Sequence, residues 1–236
     1  MPLPVDKTYR LAVCFFPEMT VLDYQGPIEI LGGFSTAERA RQDTYLAHLK
    51  HPPSFAIDVE YLSHSDEPVT PFVGPRVLPT GTYEGAMKAG KQFDILLIPG
   101  GPSASPTHVH PSLLEFVKQQ APGAKHILTV CTGSWILAGT GLLEGKRATT
   151  NKMLYRLVTE STKDKNIEWM PKARYVIGDD DHKIWTASGV TAGMDLANAF
   201  LEYLAGPETA KEFGEVVEMC VKGPGDDEFA AIHGLI

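Results

Sequence analysis

Three places in this chain carry residues whose type and setting can do chemistry: a cysteine that ends one apolar run, a glycine pair that ends another, and an aspartate shortly after a third. The cysteine is the most informative. Ile127 to Val130 is apolar, the run stops at Cys131, and Thr132-Gly133-Ser134 passes at once into the helical pattern Trp135-Ile136-Leu137-Ala138. That order predicts a strand, a sharp turn and a helix. Cys131 then sits on a strained corner at the carboxyl end of a sheet, with the first backbone N–H groups of the helix beside its side chain. Those groups and the helix dipole favour thiolate, the nucleophilic form, over thiol. Lone cysteines are more often core packing, which is the simpler account of Cys14 and Cys220. Packing, however, does not require small residues and a loop-free helix start directly after the cysteine.

The glycine pair follows the apolar run Phe93 to Pro99 and reads Gly100-Gly101-Pro102-Ser103. A tight turn alone accounts for it, yet it also lets backbone approach a ligand without a Cβ in the way. An N–H from Gly100 or Gly101 and one following Cys131, as at Gly133, would come from neighbouring parallel strands and together could form an oxyanion pocket. Asp23, in VLDYQGP, follows the apolar run LAVCFF and precedes a helix expected near Pro27 and ending at Gly32-Gly33. An Asp in such a place caps or turns the chain. Alternatively it is a carboxylate at the carboxyl end of the first strand, where open α/β sheets gather their active-site groups.

These residues need a scaffold, and the apolar pattern supplies one. Strands are expected at 11–16, 55–62, 93–99 and 127–130, with helices between them at 111–120, after Cys131, and at 153–159. Residues 35–54 read as the end of a helix and a surface connection, and 68–85 as turns or a hairpin arm followed by a short helix at 83–91. A short strand is expected near 145–150, a hairpin at 174–177 and 183–186, a long helix to Leu204, and a last helix from Pro207 to about Val221 with Cys220 on its packed face. Strands rich in Val, Ile and Leu alternating with helices imply an α/β fold with a mostly parallel sheet covered on both sides. The hairpin's Asp179-Asp180-Asp181-His182 looks like a metal cluster on paper. It reads as a solvated turn, because adjacent Asp side chains do not converge on one ion.

At 236 residues and 43% hydrophobic, the chain is sized for one domain spanning 1–236. A net charge of -8 without Lys/Arg clusters argues against nucleic acid. No run approaches the roughly 18 apolar residues that span a bilayer. Three cysteines without CxxC spacing fit a reducing compartment, and with no targeting signal the expectation is the cytoplasm. Neither GxGxxG nor GxxxxGK[ST] occurs, which disfavours a nucleotide cofactor. A small-molecule substrate is the expected partner.

With PGGP (99–102), VCTGSWILAGTGLLEGKRATT (130–150) and ASGVTAGMDLA (187–197) in this order, the chain resembles the ThiJ/PfpI superfamily, the class I glutamine amidotransferase-like proteins. The resemblance covers residues 9–206. Cys-Thr-Gly at the elbow together with LDYQGP is similar to the isonitrile hydratase branch and to the amidase-like domains of AraC-type regulators. The resemblance implies a flavodoxin-like three-layer sandwich with a nucleophile elbow, usually a homodimer. It also implies a reaction without cofactor or metal, in which isonitrile and water give an N-substituted formamide. Cys131 would be the nucleophile, Asp23 the general acid and base, and Thr132 a hydrogen-bond partner beside the thiolate. The chain departs from related branches in three places. Thr132 stands where the peptidase, deglycase and glyoxalase-like branches place His, Asn151 replaces the His of ATTHW, and residues 35–54 are long. A cysteine-based redox or small-ligand sensor is the alternative, with a glyoxalase-type activity on α-oxoaldehydes ranked below. No helix-turn-helix pattern follows residue 206.

Overall fold

Apolar runs without polar alternation are strands buried on both faces, and three of them make the centre of this molecule. The computed structural model describes residues 5–41, 44–178 and 180–236. In chain order it contains β1 (Lys7–Cys14), α1 (Val21–Leu31), α2 (Thr36–Arg39), β2 (Phe55–Ser63), β3 (Gly81–Thr82), α3 (Tyr83–Lys88), β4 (Ile95–Ile98), α4 (Pro111–Gln120) and β5 (His126–Thr129). There follow α5 (Gly133–Gly139), β6 (Arg147–Ala148), α6 (Tyr155–Ser161), β7 (Glu168–Trp169), β8 (Tyr175–Ile177), β9 (Ile184–Ala187), α7 (Ala192–Ala205), α8 (Pro207–Val216) and α9 (Phe229–Ile232). Seven strands form one sheet in the order β3-β2-β1-β4-β5-β9-β8, parallel except for the β8–β9 hairpin, while β6 and β7 pair separately. Helices cover both faces, giving the expected flavodoxin-like three-layer sandwich.

The topology positions the site. After β1 the chain moves outward to β2, and β4 then returns to the other side of β1, so the winding reverses between β1 and β4. Ligands of open α/β sheets bind at the carboxyl ends of strands at such a reversal. The segments leaving β1, β4 and β5 there carry Asp23, Gly100-Gly101 and Cys131.

Several expected boundaries move, for physical reasons. Helix α1 begins at Val21, so Asp23 lies in its first turn and Pro27 in its interior. Proline has no N–H to give the carbonyl of Asp23, four residues back. Helix α8 stops at Val216, and Glu218 takes a left-handed φ of 52°. The helical spacing from Phe213 therefore never reaches Cys220, which is exposed rather than packed; Cys14 is buried in β1 as expected. Helix α3 ends at Lys88, three residues early. The 68–80 arm holds one antiparallel bridge, Val69 to Val77. In the 35–54 connection, Arg39 is buried and donates to the carbonyls of Pro53 and Phe55; Gln42 and Asp43 lie outside the described residues. So does Asp179 of the acidic turn, in which the Asp181 carboxylate accepts the Lys183 N–H at 3.0 Å and the His182 ring stacks on Tyr203. Among the described residues, no helix is long and apolar enough to cross a membrane.

Candidate active site

The sharp exit from β5 forces Cys131 to a φ of +59°, a region that costs a non-glycine residue about 1–3 kcal/mol. Its neighbours fix that conformation from both sides. The Cys131 N–H donates to the carbonyls of Ala187 (3.2 Å) and Ser188 (2.8 Å) at the end of β9, and its carbonyl accepts the hydroxyls of Ser134 and Thr150, each at 3.1 Å. Hydrogen bonds worth about 1 kcal/mol apiece offset strain of that size. Close packing does the rest. A Cβ on Gly133 would stand 2.2 Å from the Ile98 carbonyl oxygen, and one on Gly100 would stand 2.5 Å from the Thr132 nitrogen. The elbow thus sits directly against the end of β4.

Asp23 reaches the same point from α1 and is fully buried. Its Oδ2 accepts the Gly100 N–H at 2.9 Å, while Oδ1 has no nitrogen or oxygen partner. The Cys131 thiol is the other group acting on this carboxyl. Thr132 faces the opposite way: its Oγ1 donates to the Gly101 carbonyl and accepts the Gly101 N–H, both at 2.9 Å, and lies 4.0 Å from Cys131 Sγ. The threonine therefore ties the elbow to the glycine turn.

The electrostatics revise the expected thiolate. Burial, and after it the negative charge of Asp23, push the Cys131 thiol up to about 12, against the Thr132 N–H, the Thr132 hydroxyl and the Asn151 side chain, which favour the anion. Burial likewise pushes Asp23 up to about 7, with the Gly100 N–H and Cys131 pulling it back. Desolvation outweighs the elbow's donors because the side chains of Cys131 and Asp23 are both buried. The resting pair is a neutral thiol beside a carboxyl poised near neutrality, and its protons belong to both groups.

The expected oxyanion pocket is also revised. The N–H of Gly100 is taken by Asp23, that of Gly101 by Thr132, and that of Gly133 by the Val130 carbonyl at 2.9 Å. The donors that reach the sulfur are instead the Thr132 N–H and the amide of Asn151. In the sequence Asn151 registered only as a missing imidazole. Its Oδ1 accepts the Leu154 N–H at 3.2 Å, which assigns the NH2 group to the sulfur. The structure places Cys131, Asp23, Thr132, Gly100, Gly101 and Gly133 beside one another and adds Asn151, which sequence reasoning missed. The signal available was its position directly after the strand returning to the elbow. No group of three or more His, Cys, Asp or Glu side chains among the described residues is arranged to hold a metal ion.

Comparison with known proteins follows the same lines. Isonitrile hydratase of Pseudomonas putida is 28% identical over 202 residues, covering 86% of this chain and 75% of the relative. Glutathione-independent glyoxalase DJR-1.2 of Caenorhabditis elegans is 29% identical over 156 residues, covering 64% and 76% respectively. The crystal structure of a ThiJ/PfpI family protein from Pseudomonas syringae matches 94% of this chain and 79% of its own, with a TM-score of 0.70 at 24% identity, which carries the fold alone. A family model described as DJ-1/PfpI matches residues 10–203. With its elbow, its sheet order and that match over most of its length, the chain belongs to the DJ-1/PfpI family.

Proposed function

We propose that this protein is a cofactor-independent hydratase acting on a small carbon electrophile, with an isonitrile as the substrate class. The observation that carries this reading is the buried pair itself: among the described residues, Asp23 is the one charged group acting on the Cys131 sulfur. A carboxyl near neutrality beside a thiol is matched to both taking and giving a proton at pH 7. Sγ bonds to the terminal carbon of R–NC, and the thiol proton passes through Asp23 to that carbon, giving a thioimidate, R–N=CH–S–Cys131. Water, deprotonated by Asp23, adds to the same carbon. The sulfur then leaves and regains its proton, nitrogen is protonated, and R–NH–CHO is released. One water is consumed and nothing is oxidised or reduced. Asn151 and the Thr132 N–H hold the sulfur while it carries charge. The relation to the P. putida enzyme supports the substrate class. The three free thiols agree with work in a reducing compartment, which we take to be the cytoplasm.

The test is formation of N-cyclohexylformamide from cyclohexyl isocyanide. Cys131→Ala is expected to abolish it, and Asp23→Asn to slow it by about 10²–10⁴, the usual range for a general acid/base. Turnover by Asp23→Asn at the wild-type rate sinks the assignment of the carboxyl. The relation to the C. elegans glyoxalase supports a second reading, turnover of an α-oxoaldehyde by the same pair, and methylglyoxal in the same assay separates the two.

A further inference from the structure

A cleft of about 220 Å³ opens beside the elbow, lined among others by Asn151, Met153, Ser188, Val190, Phe229 and His233. Two of these touch Cys131: Asn151 bonds the sulfur, and the Ser188 carbonyl accepts its N–H. The opposite wall comes from the end of the chain, beyond residues 10–203 that match the family. That wall is anchored. The Lys222 N–H donates to Asp195 at 2.9 Å, the Arg174 N–H to the Pro224 carbonyl at 2.8 Å, and Arg156 to the Gly234 carbonyl. Asp227 caps the Ala230 N–H at 2.9 Å and lies 3.8 Å from Lys152, with both side chains buried. Phe229, next to this cap, remains 40% exposed, an aromatic ring fixed at the edge of a cleft rather than in the core.

We propose that Phe229 and His233 complete the substrate cleft and are specificity-determining residues, selecting a compact apolar substituent, alkyl, cycloalkyl or aryl, on the electrophile attacked by Cys131. The inference rests on Cys131 as the nucleophile. Met153, Val190 and Phe229 supply the apolar sides, and Asn151, whose amide acts on the Cys131 sulfur, marks the end nearest the nucleophile. The cleft is smaller than the roughly 300 Å³ at which drug-sized sites begin, so the substrate is small.

The experiment compares Phe229→Ala and His233→Ala with the parent protein, all carrying Cys220→Ser because Cys220 is exposed and would react. Two rates are read: kcat/KM for cyclohexyl against methyl isocyanide, and alkylation of Cys131 by N-cyclohexyl- against N-methylmaleimide, followed by intact mass. Phe229→Ala is expected to lower each cyclohexyl-to-methyl ratio about tenfold and His233→Ala about threefold. Ratios unchanged within twofold overturn the proposal. So does an equal fall for both reagents, which marks a merely structural role, and so does a Cys131 that neither maleimide reaches. If neither isonitrile turns over but the maleimide ratio falls as stated, the hydratase reading fails and the specificity wall stands.

Discussion

The candidate site has two walls built on different principles, the elbow itself and the far side of the cleft that opens beside it. On one side, Cys131, Gly100 and Gly133 stand at the ends of β4 and β5, whose side chains are fully buried or nearly so, and backbone meets backbone with no room for an added methyl. On the other, residues 222–236 lie across the surface on a handful of polar anchors, with Phe229, Ile232 and Ile236 exposed. The first wall tolerates no change of shape. The second can change composition without disturbing the sheet. A catalytic centre held by the core and a binding surface held by a peripheral segment let one fold serve several substrates.

The largest expected effect tests the rigid wall. In Gly133→Ala the new methyl would meet two backbone oxygens, of Ile98 and Pro99, at 2.2 and 2.9 Å. The Ile98 oxygen accepts the Val130 N–H at 3.1 Å and cannot retreat without breaking the end of β4. A loss of about 3 kcal/mol or more is expected, read as a large fall in Tm or as insoluble protein. A Tm within a degree or two of the parent would show that the elbow has room, and the contrast between the walls would fail.

A smaller effect, of opposite sign, concerns the charge stored against that wall. Asp23 rises from an ordinary 3.8 to about 7 on folding. Between these pH values the folded state binds the extra proton, so Asp23 makes stability fall as pH rises from about 4 to 7, and its ionised form carries the full cost above 7. The difference, 7 − 3.8 or about 3, corresponds to roughly 4 kcal/mol as an upper figure. Asp23→Asn keeps an acceptor for the Gly100 N–H and removes the charge. It is expected to stabilise the protein by about 1–3 kcal/mol at pH 8 and by little at pH 4, in denaturant melts at the two pH values. Equal stability of variant and parent at pH 8 would mean that the carboxyl is not forced into a costly environment, and its role as a poised acid would lose its physical basis.

The two walls also differ in how much of them the sequence displays. The apolar runs, the turn at Cys131-Thr132-Gly133 and the glycines after β4 are local patterns that a parallel sheet brings together, so the residue order alone makes Cys131, Asp23 and Gly100 legible as neighbours. The protonation of the pair is not, because burial is a property of the whole fold: the elbow's donors argue for a thiolate and desolvation reverses them. Residues 222–236 have no periodicity to read. Their placement depends on single long-range contacts, Asp227 with Lys152 and Lys222 with Asp195, which no local pattern encodes. Asn151 lies between these cases, adjacent to a readable strand yet recognisable only by what its amide touches.

The smallest expected effect tests the peripheral wall. Breaking a buried ion pair ordinarily costs about 3–5 kcal/mol, because a charge is left alone in the interior. Here two features limit the loss. Lys152 Nζ keeps hydrogen bonds to Thr149 Oγ1 at 2.8 Å and to the Ala173 carbonyl at 2.7 Å, and burial has already brought it down to about 8, so without Asp227 it sheds its proton near neutral pH. Asp227→Asn also retains an oxygen to cap the Ala230 N–H. The expected change is therefore local, about 1 kcal/mol, confined to the segment that opens without the sheet. In hydrogen exchange, amides of 226–236 should exchange about fivefold faster while those of 126–139 stay unchanged and Tm moves by no more than about 2 °C. If the elbow's amides accelerate together with the tail's, the two walls form one cooperative unit, and a change in the tail would reach the Cys131–Asp23 pair directly.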